Sequence, residues 1–443
     1  MTTHDYQIQN AGGRTVRLDF NGALMAQATC NSGAIEPPDP IPGMLWLDTT
    51  VLPDGQVRQR NQSNTAWVTM SGIPPEATFA QVTAGTDDAT FVTPAGYMAR
   101  LDSIPDWQAF NCLVNGAMRV SQENADTALP IATAGTVYPA DQWPVTCSTA
   151  ATQAAVTAQR VALLTPRKSE YRLRITVTTA KALLATADYL SFWQAIEGLR
   201  VARLGWGAAG AKQVIVRFGF KGPAGTYSCN IRSPSPYRSY CAPFTISAAQ
   251  ANTDTEQTFV VLGDITGTWP VTASAGIYLW ITVAAGGSFQ SVSGWQSGNF
   301  IGSTGMSNGL ATVGNVFELF DVGFYVDERK TAVAPRWTLP TVEEELFDCQ
   351  RYFVKDCRVM YGGNVTSANV YYAPAGPIPV DMRTTPSIVA PTSLSASNFT
   401  AAVGTLSVIV TPSTGHYKLR ENRTASGTGV GLFQSQCDLS ARM

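Results

Sequence analysis

The stretch Glu318–Phe353, ELFDVGFYVDERKTAVAPRWTLPTVEEELFDCQRYF, decides how the chain divides. Its first part is a run of apolar and aromatic residues that reaches Val326, which predicts a β-strand. A polar turn and two prolines follow, and they predict a short extended connection. Thr341 then offers an N-cap, and the glutamates at 343–345 suit the positive end of a helix. We therefore expect a large β domain to end here and a smaller one to begin.

The helix predicted to join these domains, within residues 337–353, has one apolar face at helical spacing. Its members are Val342, Leu346, Cys349 and Phe353. Three carboxylates in a row can signal chemistry, but we interpret residues 343–345 as the negatively charged first turn of this helix.

The composition of the chain is that of a turn-rich, mainly β protein. It holds 38 glycines and 26 prolines in 443 residues, and charged residues make up only 14%, against roughly 25% in soluble domains. So few charges predict that part of the surface is buried between subunits. A net charge of −2 gives no electrostatic reason to expect nucleic acid as a partner.

Neither a membrane helix nor a signal peptide is predicted. No apolar run reaches the roughly 18 residues that a membrane helix needs, and the N-terminus MTTHDYQIQNAGG lacks a signal-peptide pattern. We therefore expect the chain to be made in a bacterial cytoplasm.

Residues 1–72 predict a small β module at the N-terminus. A glycine turn at 11–13 is flanked by apolar positions, and a short helix is expected over residues 20–29. The flanking apolar residues are Tyr6, Ile8, Val16 and Leu18.

Residues 43–70, GMLWLDTTVLPDGQVRQRNQSNTAWVTM, predict a hairpin whose buried apolar area comes mainly from Trp46 and Trp67. The tryptophan, the Asp-Thr-Thr turn and the Arg-Asn-x-x-Asn-x-Ala-Trp run resemble a module near the N-termini of tail-fibre proteins of tailed bacteriophages. The resemblance implies that this end attaches to other proteins of the virus particle. The matching positions are Trp46, Asp48, Thr49, Thr50, Arg60, Asn61, Asn64, Ala66 and Trp67.

Residues 73–105 predict a short helical connector. A turn at 85–88 separates two helices with thin apolar stripes, and Pro94 suits the first turn of the second helix. This stretch is also similar to a connector of phage fibres. Because such helices bury little surface alone, we expect three copies to pack around an axis, which makes the protein a homotrimer.

Residues 106–336 predict the largest unit, a two-sheet β-sandwich of jelly-roll type. Strand-like runs recur between turn residues, and no long helix interrupts them. The clearest runs are Tyr171–Val177, Gln213–Phe220, Thr258–Leu262, Ile277–Val283 and Val316–Val326.

The start of this unit, NCLVNGAMRVSQ at 111–122, resembles the opening of a domain found in many phage tail-fibre proteins. Further motifs of that domain follow in the same order along most of the chain. The family's sandwich is similar in shape to carbohydrate-binding modules, which is an analogy of fold and not of site. The further motifs are Ala140–Trp143, Ile196–Gly198, Leu204–Gly207, Gly225–Tyr227, Arg238–Tyr240, Phe317–Val322 and Cys349–Tyr352.

Residues 354–443 predict a smaller β domain. The stretch 379–388, PVDMRTTPSI, is similar to C-terminal domains of the same fibres, which implies an exposed tip that faces the receptor. Strands are predicted at Val370–Tyr372, Pro379–Arg383, Ser387–Val389 and Leu406–Val410. Because loops and tips often carry binding, contacts with a host glycan or protein are predicted at Tyr371, Tyr372, Tyr417 and Arg420.

Six further tryptophans invite a role in stacking on sugar rings. We favour the sandwich core for them, most clearly for Trp280, which lies inside an apolar strand. The six are Trp193, Trp206, Trp269, Trp280, Trp295 and Trp337.

No catalytic, cofactor or metal site is predicted. His4 and His416 lie in no Ser-His-Asp or Cys-His setting, and the cysteines form no CxxC pair. Candidate glycosidase carboxylates are spread along the chain. Glu197 is the most suggestive, yet bonds to backbone amides or to an arginine explain it equally well. The carboxylates in question are Asp188, Glu197, Asp264 and Asp321.

The eight cysteines leave two interpretations open. They are small buried residues, or some form disulfides outside the cell. In the second case, Cys229 and Cys241 would close a Ser-Pro-rich loop, and Cys30 would link to a neighbouring subunit.

Together these patterns predict a trimeric tail fibre that is anchored by its N-terminus and binds the host surface through many weak sites. Two alternatives stay open: a neck or collar fibre with a mainly structural role, and a polysaccharide-degrading tailspike.

Overall fold

The computed structural model describes residues 11–28, 30–51, 55–70, 77–84, 110–132, 134–149, 154–373, 376–400, 402–410 and 417–443. The chain is mainly β and divides into two compact units, residues 1–104 and 105–443. Several residues named above lie outside the described ranges: His4, Tyr6, Ile8, His416 and the part of the connector after Ala84. None of the described helices is long and apolar enough to cross a membrane.

The first unit contains a three-stranded antiparallel sheet in the order β1-β2-β3, which confirms the predicted hairpin. Its elements are α1 Gly13–Ala28, β1 Leu45–Asp48, β2 Gln56–Arg60, β3 Trp67–Thr69 and α2 Phe79–Ala84.

The motif residues of this sheet build its packing and its turns. The rings of Trp46 and Trp67 meet edge to face, with centroids 5.4 Å apart. The Asp48 carboxylate accepts from the Thr50 amide and hydroxyl, at 3.0 and 2.6 Å. The Asn61 side chain accepts from two backbone amides of the following turn. Short-range hydrogen bonds of this kind explain why the motif has polar residues at these positions.

Helix α1 begins earlier than the expected residue 20, so Val16 and Leu18, which were predicted to flank a glycine turn, lie in the helix. Arginine, leucine, alanine and methionine favour a helix there. Much of the helix is exposed, including three large apolar side chains, Leu18, Phe20 and Leu24. A 16-residue helix with so little packing is only marginally stable alone.

The second unit contains a β-sandwich of two antiparallel sheets. One sheet has six strands in the order β13-β10-β18-β8-β7-β4, and the other has seven in the order β16-β12-β11-β14-β9-β6-β5. The strands are β4 Leu129–Ile131, β5 Ala134–Ala140, β6 Trp143–Ser148, β7 Ala155–Ala162, β8 Tyr171–Thr179, β9 Tyr189–Glu197, β10 Val214–Lys221, β11 Gly225–Arg232, β12 Arg238–Ile246, β13 Thr255–Val261, β14 Ala275–Ala285, β16 Gly294–Ser297 and β18 Val316–Val326.

Apolar side chains from both sheets fill the space between them, and all five strands singled out in the sequence are confirmed. One continuous cluster includes Phe192, Phe218, Ile281 and Phe324. Between β9 and β10 lie a short helix, α3 Gly198–Val201, and a 3₁₀ turn. A small parallel pair, β15 Gln290–Ser291 and β17 Gly302–Ser303, follows β14.

The opening segment 111–122 is held in the sandwich by buried hydrogen bonds. The Asn115 side chain bonds Val120 and the Asp141 carbonyl, and the Trp143 indole donates to the Val114 and Asn115 carbonyls. A Cβ on Gly116 would lie 2.3 Å from the Val322 carbonyl, so only glycine allows this approach.

The joining helix, α4 Val342–Gln350, is confirmed together with its Thr341 cap, which forms a capping box with Glu344. Its expected apolar face is confirmed at Leu346 and Cys349, which pack together, and is wrong at its two ends. Val342 is exposed, and the buried side chains are Glu345 and Cys349. Phe353 falls outside the face because the helix ends at Gln350 and a strand begins.

Glu345 is buried because its carboxylate accepts the backbone N–H of Asn115. Burial raises the pKa of this carboxyl group, although the hydrogen bond opposes the shift. One glutamate of the run therefore caps the helix, and the next holds the opening segment of the sandwich.

The C-terminal region forms two further sheets around a second apolar cluster. The stretch Pro379–Arg383 was expected to be a strand but is irregular. Proline lacks the amide donor that a strand needs. The Arg383 guanidinium donates to the backbone carbonyls of Ala441, Ala273 and Arg442. The strands are β19 Phe353–Val365, β20 Val370–Tyr372, β21 Gly376–Pro377, β22 Ser387–Ser397, β23 Thr405–Val410, β24 Tyr417–Thr424 and β25 Gly429–Ser440.

A buried ion pair fastens this region to the sandwich. The Arg351 guanidinium donates to both oxygens of Glu197, at 2.9 and 2.6 Å, and the Tyr352 hydroxyl donates to one of them. The Glu197 side chain is 1% exposed. The structural interpretation of Glu197, as a glutamate bonded to an arginine, is confirmed.

Replacing Arg351 with Met leaves the buried Glu197 carboxylate without its cation, and we expect this to lower the free energy of unfolding by about 3 kcal/mol. Urea titration followed by tryptophan fluorescence measures the change. Arg167→Met is the matched control, because its pair with Glu256 is exposed and is worth at most about 1 kcal/mol. Equal losses in the two variants would contradict the role given to Arg351.

Candidate functional site

Strands β9 and β14 carry large side chains on both sides of the seven-stranded sheet. They pair in antiparallel register, with Trp193 directly opposite Trp280. Because side chains alternate along a strand, Phe192 and Ile281 point into the sandwich core while the two tryptophans point away from it. Trp280 is absent from the inter-sheet cluster. The expectation that it belongs to the sandwich core is therefore wrong, although the residue is buried.

The outward side chains form a compact aromatic cluster. The rings of Trp193 and Trp280 are stacked, with centroids 4.9 Å apart and an interplanar angle of 15°. Tyr278 lies 5.9 Å from Trp193, and Tyr189 meets the edge of Trp280 at 6.1 Å. Trp280 is 6% exposed, whereas Trp193, Tyr278 and Tyr189 are half-buried. The outermost rings therefore retain surface that a ligand can reach.

Arg232 completes this cluster from the neighbouring strand β11, where it lies opposite Tyr278. Its guanidinium carbon is 5.0 Å from the ring of Tyr237 and 5.1 Å from the rings of both Tyr278 and Trp280. One amino group donates to the Asn299 side chain. Burial lowers the pKa of Arg232, and nearby tyrosines oppose the shift. We call Tyr189, Trp193, Arg232, Tyr278 and Trp280 the aromatic face.

The segment 287–303 covers the polar part of the same sheet surface. Ser303 on this segment bonds Ser228 at 2.6 Å, and the Ile301 carbonyl accepts from Asn230 at 2.5 Å. Phe289 packs against Tyr189 at 5.2 Å. The segment therefore covers the serine and asparagine positions, while Trp193 and Tyr278 keep part of their surface exposed.

A second tryptophan cluster has a structural character. Trp206, Trp269 and Trp295 meet edge to face, with centroids 4.8 to 5.6 Å apart. Each indole N–H donates to an acceptor of the protein itself. The Trp337 indole likewise donates to Ser169. By contrast, the buried indole N–H of Trp280 has no acceptor among the described residues.

The four residues predicted in the C-terminal domain do not share one surface. Tyr371 and Tyr417 pack against the apolar cluster of that domain. Tyr372 and Arg420 lie on the opposite side of the sheet, with the guanidinium 5.3 Å from the ring. The expected four-residue surface is thus corrected to a pair, because neighbouring residues of a strand point to opposite faces.

The carboxylates considered for hydrolysis are engaged in contacts within the fold. Asp188 pairs with Lys181 at 2.7 Å, and Asp264 pairs with Arg238 at 2.8 Å. Asp321 accepts from the Ser169 hydroxyl, and burial raises the pKa of this aspartate. Among the described residues, no group of three or more His, Cys, Asp or Glu side chains could hold a metal ion.

The disulfide proposed between Cys229 and Cys241 is not formed, and both thiols are free. Cys229 pairs across strands with Ala242, and Cys241 pairs with Asn230, so the two thiols point to opposite faces of the sheet. Burial raises the pKa of Cys241 to about 12 and raises that of Cys229. Cys30 is exposed, so its proposed link to a neighbouring subunit stays a prediction.

A scan against protein-family models and a search of curated proteins both find no match. Solved structures similar to part of the chain include the enzymatically active domain of tailspike protein 4 from bacteriophage CBA120. Its sequence identity is 10% and its TM-score 0.25, and the match covers 49% of this chain and 21% of that one.

Two carbohydrate-binding modules also resemble part of the chain. TmCBM61, in complex with β-1,4-galactotriose, is 12% identical with a TM-score of 0.24, over 49% of this chain and 99% of the module. The CBM22-1 xylan-binding domain of Paenibacillus barcinonensis Xyn10C is 7% identical with a TM-score of 0.25. That match covers 50% of this chain and 96% of the domain. All TM-scores quoted lie below 0.5, so these similarities carry no argument about what this chain binds.

Thiol reactivity tests the cysteine assignments. We expect the native protein to react rapidly with Ellman's reagent at Cys30, because exposure governs access to a thiol. The substitution Cys30→Ser should remove this fast phase and leave the slow phases unchanged. Denatured without reductant, the chain should show all eight thiols. A count of seven would instead support the Cys30 link, and a disulfide-linked peptide that contains Cys229 and Cys241 would contradict the free state of these two thiols.

Proposed function

We propose that this protein is a structural, glycan-binding appendage of a bacteriophage particle, and that the aromatic face of its sandwich contacts the host surface. The observation that carries the proposal is the set of half-buried rings, Trp193 and Tyr278, supported from below by the buried Trp280. In the other tryptophan cluster, around Trp206, every indole N–H donates to an acceptor of the protein itself, so we assign that cluster a structural role.

The chemistry of the aromatic face suits a sugar ring. Aromatic side chains offer large, rigid apolar surface at little cost in conformational entropy. The C–H faces of a pyranose can lie against Trp193 and Tyr278 while its hydroxyl groups meet polar donors beside the rings. Ordered contacts hold both rings in place: Trp193 donates its indole N–H to Thr146 at 2.9 Å. A preorganised platform loses less entropy on binding.

The fibre architecture belongs to the same proposal. The sequence resemblance of residues 43–70 and 111–122 to phage tail-fibre proteins supports attachment through the N-terminal module. Exposed apolar side chains on α1 support a homotrimer, because their burial would stabilise a helix that is marginal alone. Three copies per fibre and many fibres per particle would convert weak glycan sites into firm adhesion.

We also propose that binding, and not hydrolysis, is the activity. Asp188, Glu197 and Asp264 each form a close ion pair inside the fold, which gives these carboxylates a structural explanation. Incubation of the protein with host polysaccharide tests this directly. Released oligosaccharides or a fall in viscosity would favour the polysaccharide-degrading alternative.

The binding site is tested by two single substitutions. On an array of bacterial surface glycans, and in calorimetric titration with the best ligand, we expect Trp193→Ala to weaken binding at least about tenfold, because buried aromatic anchors dominate such interfaces. Trp193→Phe should retain part of the affinity, since a flat ring remains. Trp193→Ala also removes the stack on Trp280 and the hydrogen bond to Thr146, so it should unfold at a lower temperature than the wild type, and binding is compared well below that temperature.

Tyr372→Ala is the matched control for this test, because Tyr372 is the exposed aromatic residue of the site predicted in the C-terminal domain. We expect less than about a twofold change in affinity. If Tyr372→Ala weakens binding and Trp193→Ala does not, the glycan site belongs to the C-terminal domain.

The trimer is tested by light scattering after size exclusion. We expect three times the chain mass of 47.3 kDa. The double variant Leu18→Glu, Leu24→Glu should shift the mass toward the monomer, since it places charges on an apolar surface. Leu183→Glu, at a position that is 86% exposed on the sandwich, should leave the trimer intact. A monomeric wild-type protein would refute this part of the proposal.

A further inference from the structure

Arg232 is a partly buried cation with no anionic partner. No described carboxylate lies within ion-pair distance of it, and its titratable neighbours are tyrosines, which are neutral at physiological pH. Two other arginines of this unit do have such partners: Arg172 bonds Asp254 and Glu318, and Arg238 bonds Asp264. A charge removed from water without a counter-charge is costly. Three ring contacts offset only part of this cost.

Two buried donors at this point lack an acceptor. The Nε of Arg232 and the indole Nε1 of Trp280 are both buried and without a hydrogen-bond partner in the described structure. They belong to neighbouring strands, and the Arg232 guanidinium carbon is 5.1 Å from the Trp280 ring. Buried donors without a described acceptor occur elsewhere in the chain too, for example at Trp67 and Gln142. Here they coincide with an unpaired charge and with reachable aromatic rings.

Arg217 has a similar shortage of partners but differs in access. It is 2% exposed, its nearest carboxylate oxygen is 3.9 Å away on Glu256, and Pro335 and Trp337 of the same chain cover it. No ligand can reach it without displacing that segment. Arg232 instead lies beside Tyr237, which is 40% exposed.

We infer that the glycan bound by the aromatic face is acidic, and that its oxyanion pairs with the guanidinium of the half-buried Arg232 while a sugar ring stacks on Trp193 and Tyr278. This inference rests on the proposed function and names its ligand class. Arginine stays charged at any physiological pH and suits a carboxylate, phosphate or sulfate group. A neutral hydroxyl could accept one of the donors but would leave the charge uncompensated.

Matched pairs of acidic and neutral sugars test the inference with the full-length chain. The affinity for trigalacturonate compared with that for galactotriose tests a carboxylate. The affinity for 6′-sulfated lactose compared with that for lactose tests a sulfate ester. The same array carries other acidic glycans with their neutral counterparts. We expect the acidic member of a bound pair to bind about tenfold to a hundredfold more tightly than the neutral one. This is the difference in affinity expected because the neutral member cannot form the charge-assisted hydrogen bond. Its affinity should fall when salt rises from about 0.05 M to about 0.5 M.

The variant Arg232→Met keeps the apolar stem and removes the charge. We expect it to lower the affinity for the acidic member at least about tenfold more than the affinity for the neutral member, so that the preference is lost. Arg232→Lys should recover part of the preference, because it restores the charge without the planar fork. Near-ultraviolet circular dichroism shows whether both variants keep the native packing.

The outcomes separate the inference from the proposed function. If neutral and acidic members bind equally well, or only neutral ones bind, the acidic ligand is refuted and glycan binding stands. If the preference exists but Arg232→Met does not reduce it, the oxyanion lies elsewhere and the inference fails. If no glycan of the array binds, both the inference and the proposed function fail.

Discussion

Every second side chain of a β-strand points to the same side of its sheet, and this constraint produces both the core and the candidate site of this protein. On β9 and β14, one set of positions supplies Phe192 and Ile281 to the packing between the sheets. The other set supplies Trp193 and Trp280 to the opposite surface. Because the core holds one side of the sheet rigid, the rings on the other side are held in fixed positions. The stability of the sandwich and the geometry of the aromatic face are therefore two results of one pattern.

Buried polar groups explain how the rest of the chain is fixed to this sandwich. The Glu345 carboxylate accepts a hydrogen bond from the backbone N–H of Asn115. The Glu197 carboxylate accepts hydrogen bonds from the Arg351 guanidinium and the Tyr352 hydroxyl. Each carboxylate lies in a region that excludes water, where an unsatisfied partner would be costly. The aromatic face breaks this rule, since Arg232 and Trp280 keep buried donors without acceptors. Other buried polar atoms without a described partner occur in the chain, for example at Trp67 and Arg217, but those of the aromatic face lie beside reachable rings and a cation that has no described carboxylate partner.

The sequence predicts local elements well and long-range contacts poorly. The apolar run at Val316–Val326 and the Thr341 cap are local signals, and both were correctly interpreted. The burial of Glu345 was missed because its partner is 230 residues away and leaves no local pattern. Alternation could have shown that Tyr371 and Tyr372 face opposite ways. Alternation also predicts that Trp280 points to the opposite side of the sheet from Leu279 and Ile281. It does not predict which of these two sides is covered by the second sheet.

The most direct measurement is a crystal structure of the protein with a bound oligosaccharide from the host surface. The account predicts sugar density in van der Waals contact with Trp193 and Tyr278, and an oxyanion within hydrogen-bond distance of the Arg232 guanidinium. Density beside Tyr372 and Arg420, with no sugar on the aromatic face, would contradict it.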